Sequence, residues 1–142
     1  MEILEDHSHL GLEFDWMGVD DLGRLGYFST AGRGPIPKPV STESAYWESI
    51  FEKVMKLKEV SNHELLHTWD GDIGDWVKIA KRGIFAFDWN FEKDIYELVA
   101  HPSHPTNIET IDFDSKDKIM DVRLKTCFSS STPFISLQVS LQ

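Results

Sequence analysis

The stretch from Glu13 to Ser29 reads EFDWMGVDDLGRLGYFS and predicts a β-hairpin. Leu12, Phe14 and Trp16 alternate with acids around Asp15, a pattern typical of a strand from Glu13 to Val19. Asp20-Asp21-Leu22-Gly23 is a turn signal, because Asp and Gly favour the backbone angles of tight turns. Apolar residues resume from Arg24 to Ser29, so we expect the chain to return as a second strand.

The rest of the chain predicts a second hairpin, three helices and two late strands. The second hairpin should run from Ile84 to Phe91 and from Ile95 to Ala100, with its turn at Glu92-Lys93-Asp94. The expected helices run from Ser41 or Thr42 to Lys58, from Asn62 to Trp69 and from Ile73 to Arg82, and the late strands from Asp121 to Phe128 and from Phe134 to Leu141. This order predicts a single α+β domain over residues 1–142. Its largely antiparallel sheet would be built from hairpins, with two or three helices packed on one face.

Two of the helices carry more specific expectations. Trp47, Ile50, Phe51 and Val54 recur at helical spacing, so they should form the buried stripe of the first helix. In the third helix Asp72 is expected as the N-cap and Gly83 as the C-cap.

The chain is acidic, and its acids come in blocks. It has 24 Asp and Glu against 14 Lys and Arg, a formal net charge of −10. Residues 59–75 hold five acids and no base, and residues 84–121 hold nine acids and three bases. Such a charge repels phosphate backbones and anionic lipids, so we expect neither nucleic acid nor a membrane as partner. It favours association with a basic protein.

Cysteine usage and the N-terminus indicate a cytoplasmic protein. Cys127 is the only cysteine, so no intrachain disulfide can form, which suits a reducing compartment. The first residues lack the basic start and apolar run of a signal peptide. We expect Cys127 to be a small buried side chain on a strand rather than a nucleophile.

His63-Glu64-Leu65-Leu66-His67 has the spacing of a zinc hydrolase motif. On a helix the two histidines would share one face and Glu64 would activate a zinc-bound water. However, the chain offers no third ligand at the expected spacing, and Asp70-Gly71 ends the helix. Ser61 and Glu64 also fit a helix capping box. We therefore expect no cofactor and no metal, with His63 and His67 as ligands only in the alternative interpretation.

The segment Phe-Asp-Trp occurs twice, at Phe14-Asp15-Trp16 and at Phe87-Asp88-Trp89. On a strand each aspartate must point to the face opposite its aromatic neighbours. We expect Asp15 and Asp88 to face outward, since burial of an uncompensated charge is costly. If they point inward instead, they become candidate site residues.

Two long segments resemble small bacterial immunity proteins encoded beside polymorphic or contact-dependent toxins. The resemblance lies in the stretch from Phe14 to Pro37, and in Asp75-Trp76, Arg82-Gly83, Phe85 to Trp89, Tyr96 and Pro102. It covers about two thirds of the chain, and it implies a toxin inhibitor without catalytic residues. It does not identify a binding surface.

We therefore expect a non-enzymatic protein that binds and neutralises a basic toxin domain such as a nuclease. Asp70, Asp72 and Asp75 are the candidate contact residues, because three acids share one glycine-containing loop. The alternatives are a zinc-dependent hydrolase that uses His63, Glu64 and His67, and an acidic protein-binding adaptor.

Overall fold

A computed structural model describes residues 14–137, which form an α+β fold around a curled, mixed sheet. Its strands are β1 (Asp15–Val19), β2 (Leu25–Ser29), β3 (His63–Glu64), β4 (Phe85–Asn90), β5 (Ile95–Pro102) and β6 (Phe134–Ile135). Its helices are α1 (Lys38–Ser41), α2 (Ser44–Trp47), α3 (Ile50–Met55), α4 (Gly74–Ala80) and α5 (Lys116–Met120). The α+β class expected from the sequence is confirmed.

The strands lie in the order β1-β2-β4-β5-β3, with β6 also paired to β5. Both expected hairpins are present, because β1 pairs with β2 and β4 pairs with β5 in antiparallel register. The pairing of β2 with β4 is parallel, since the chain crosses over between them through α1 to α4. The two hairpins thus join into one sheet along this parallel pair.

Asp20 holds the turn of the first hairpin from inside the protein. Its side chain is fully buried, yet its Oδ1 accepts the backbone N–H groups of Leu22 and Arg24 at 3.0 and 2.9 Å. Its Oδ2 accepts the Arg24 guanidinium at 2.9 Å and the backbone N–H of Phe128 at 2.9 Å. A buried carboxylate with this many donors is compensated. It also ties residues 121–128 to the hairpin.

One face of the sheet is an aromatic row. Trp16, Phe28 and Phe87 are side-by-side partners on β1, β2 and β4, and all three are buried. The ring centroids of Trp16 and Phe28 lie 4.1 Å apart and those of Phe28 and Phe87 lie 4.7 Å apart, with nearly parallel planes. Phe128 covers this row from the chain segment after α5.

Tyr96 closes the aromatic row at β5. Its hydroxyl accepts the indole N–H of Trp16 at 3.2 Å and donates to the carbonyl of Pro35 at 2.8 Å. The residue is fully buried, and these two bonds satisfy a hydroxyl that would otherwise be orphaned in the core. One side chain thereby connects β5 with β1 and with the proline-rich loop after β2.

The opposite face packs against α3 and α4. The ring of Tyr27 on β2 meets that of Phe51 on α3 edge to face at 6.5 Å, and α4 contacts both β4 and β5. The expected packing of two or three helices on one face is not confirmed, because α5 contacts β1 and Val122, two residues after α5, lies over Gly18 on the side of Trp16.

The expected helix from Ser41 to Lys58 is wrong as a continuous element. The chain forms three short helices instead, and the hydroxyls of Ser41 and Thr42 donate to the carbonyls of Lys38 and Pro39. Such local bonds compete with helix propagation. The apolar stripe nevertheless survives the breaks: Trp47, Ile50 and Val54 are buried, and Phe51 is half-buried.

The expected strand from Asp121 to Phe128 is also wrong. Val122, Leu124 and Phe128 are buried as the alternation indicated, but the segment only bridges β1, where Leu124 N donates to the carbonyl of Val19 at 2.8 Å. Cys127 is exposed there rather than buried.

Among the described residues, the last expected strand is reduced to β6. Residues 136 and 137 are not part of β6, and residues 138–141 of the expected strand lie outside the described range, as does Glu13 at the start of the first expected strand.

Truncation of Phe28 should destabilise the protein most, because its ring lies in the middle of the aromatic row. We expect Phe28→Ala to lower the free energy of unfolding by about 3–5 kcal/mol, the usual cost for a buried aromatic side chain. Phe51→Ala should cost less, since its ring is half-buried. Phe91→Ala, where the side chain is 61% exposed, should change stability by no more than about 0.5 kcal/mol. Urea melts of the three variants would test this order, and equal costs at Phe28 and Phe51 would contradict it.

Candidate functional site

The sheet register also creates a polar row on the face opposite the aromatic row. Asp15 pairs with Ser29, Ser29 pairs with Asp88, and Asp88 pairs with Glu97, so the four side chains share one face across β1, β2, β4 and β5. We call these four residues the acid row. With strands spaced about 4.8 Å apart, the Cα atoms of Asp15 and Asp88 lie roughly 10 Å apart.

The two Phe-Asp-Trp segments produce this arrangement. They lie on β1 and β4, on either side of β2, and each aspartate is opposed to its aromatic neighbour by strand alternation. Asp15 and Asp88 face away from the aromatic row, as expected from the sequence, and both residues are half-buried on that face.

Asp15 accepts a hydrogen bond from the Tyr27 hydroxyl, with 2.5 Å between the oxygens. Burial raises the pKa of Tyr27 above its ordinary value, and the Asp15 carboxylate raises it further. Tyr27 therefore stays a neutral donor at physiological pH. A pocket of about 230 Å³ opens beside Asp15 and is walled by Phe14, Trp47, Glu48, Ile50 and Phe51.

The other end of the acid row opens into a larger cleft, which we call the acidic cleft. It has a volume of about 450 Å³. It is lined by four acidic residues, three aromatic residues and one asparagine: Asp70, Asp88, Glu92, Glu97, Trp69, Trp89, Phe91 and Asn90. Among the described residues, the lining includes no lysine and no arginine. Its volume falls in the range of about 300–1,000 Å³ that is usual for ligand clefts.

Asn90 builds one wall of the acidic cleft. Its Nδ2 donates to Glu97 Oε1 at 3.0 Å, and its Oδ1 accepts the backbone N–H groups of Glu92 and Lys93 at 3.1 Å each. These bonds fix the tip of the second hairpin, and with it the positions of Phe91 and Glu92.

Of the three acids expected to bind a partner, the acidic cleft contains Asp70. Asp72 is exposed and its Oδ1 accepts the backbone N–H of Gly74 at 2.8 Å, so it supports the start of α4 from one position before the actual cap, Ile73. Asp75 is exposed in the first turn of α4 and contributes to the field that raises the pKa of Tyr27. The other expected cap, Gly83, has a φ of +84° just after the helix.

The expected helix from Asn62 to Trp69 is absent, which removes the geometry of the zinc motif. His63 and Glu64 form β3 and pair with Pro102 and His101 of β5. The Ser61 hydroxyl accepts the backbone N–H of His104 at 2.9 Å instead of capping a helix. Tertiary pairing has overridden a local pattern that lacks an apolar stripe, since Leu65 and Leu66 are exposed.

His67 belongs to the surroundings of the acidic cleft. Its ring packs on Trp69 with centroids 4.1 Å apart, and its Nε2 lies 4.0 Å from Glu97 Oε2. Within residues 14–137, no three His, Cys, Asp or Glu side chains are grouped so that they could hold one metal ion.

Sequence reasoning identified Asp15, Asp88 and Asp70 but missed most of the acidic cleft. The sequence places Asn90, Glu92 and Glu97 in or beside the second hairpin, where the two glutamates could at most replace the missing zinc ligand, and it places Trp69 at the end of a helix. The signal that could have found Glu97 is the register of the second hairpin, which aligns Asp88 with Glu97.

No family model, no curated protein and no solved structure matches this chain. In the part of the chain that the structure describes, no helix has the length and apolar character that a membrane span requires.

We predict that the purified protein binds no stoichiometric zinc, because His63 and His67 do not lie on one helical face. Elemental analysis after purification from zinc-containing medium would test this, with His67→Ala as the control. One zinc per chain in the parent, lost in that variant, would contradict the prediction.

The tyrosines should resist ionisation until the protein unfolds. Burial is the main cause that raises the pKa of Tyr27, Tyr46 and Tyr96, the three tyrosines of the chain. In the unfolded chain they titrate near pH 10. Above that pH the unfolded state binds fewer protons than the folded state, so the free energy of unfolding should fall as pH rises. Phenolate absorbance of native and urea-unfolded protein would test this. A native titration near pH 10 would contradict it, and Tyr27→Phe should reduce the slope.

Proposed function

We propose that this chain is a non-enzymatic, immunity-type protein that binds a basic toxin domain and blocks it. The observation that carries the proposal is the concentration of carboxylates around one end of the sheet. Asp15, Asp88 and Glu97 lie on the acid row, and Asp70 and Glu92 stand beside it in the acidic cleft. The resemblance noted in the sequence supports the same conclusion.

The negative net charge of the chain favours a basic partner. The chain has a net charge of −10, and a toxic nuclease must itself be basic to bind phosphates. An acidic surface attracts such a domain from a distance, which raises the rate of association. It also competes with the phosphates for the same basic groups.

Two cationic side chains near the acidic cleft, those of Arg33 and Lys93, lie over aromatic rings. The guanidinium of Arg33 stands 5.6 Å from the centre of the Phe91 ring, and Lys93 Nζ stands 4.7 Å from the centre of the Phe134 ring. Both side chains lie outside the lining of the cleft.

Expression of this protein should protect cells against one toxin domain and not against unrelated ones. The test is co-expression with the toxin domain encoded in the neighbouring reading frame, with growth as the readout. Purified proteins should associate more slowly as salt rises, because ions screen charges beyond about 8 Å at physiological ionic strength. Lack of protection against that domain would contradict the proposal.

The three loop acids provide a charge test. Replacing Asp70, Asp72 and Asp75 with asparagine should slow association, while the melting curve stays nearly unchanged, because an asparagine oxygen at position 72 can still accept the backbone N–H of Gly74. The matched control replaces Glu109 with glutamine and Asp112 and Asp121 with asparagine. These three exposed acids lie toward the turn end of the first hairpin, where Ile108 N bonds Gly23 O and Val19 N bonds Val122 O. Equal slowing by both triple variants would show that only net charge matters.

A further inference from the structure

We draw no further inference here: the strongest candidate, the outer edge of β3 with the exposed side chains of Leu65 and Leu66 beside it, carries none, because nothing in the described part of the chain shows what covers it.

Discussion

The stacking of Trp16, Phe28 and Phe87 fixes how three strands of this protein align. The rings lie on one face, within 4.1 and 4.7 Å of each other from strand to strand. A shift by one residue would turn every side chain of a strand to the other face and remove these contacts. Tyr96 extends the same constraint to β5 through its bonds to Trp16 and Pro35. The aromatic row and Tyr96 therefore set the register of β1, β2, β4 and β5.

The same register places the carboxylates. Asp15 and Asp88 each stand next to a stacked aromatic residue, so the alignment that joins the rings also aligns the two acids with Ser29 between them and Glu97 beyond. The packing of the aromatic core thus determines which side chains lie side by side on the opposite face. This explains why half-buried acids are tolerated there: their positions follow from the packing of their neighbours, and Tyr27 compensates Asp15.

Local patterns predicted the hairpins, the helix before Gly83 and the class of the fold, because alternation and turn residues act within a few positions. They failed where distant segments decide. His63 and Glu64 pair with β5 rather than form a helix, and Val122 and Leu124 are buried without a continuous strand. The acidic cleft could not be predicted from local patterns, because Trp69 and Asp88 are distant in the sequence and line one cleft only in the folded protein. The acidic blocks of the sequence indicated the charge of the cleft. Of the three loop acids that were expected to bind a partner, the cleft contains Asp70.

Hydrogen–deuterium exchange on the complex with the toxin domain tests the central claim most directly. The account predicts that toxin binding slows exchange at residues 66–70 and 88–94, which carry the acidic cleft, and at the neighbouring part of β5. The turn end of the first hairpin, at Gly23 and residues 107–112, should be unaffected. Protection confined to that turn end, with unchanged exchange around Asp88 and Phe91, would contradict the claim that the acid row and its cleft form the binding surface.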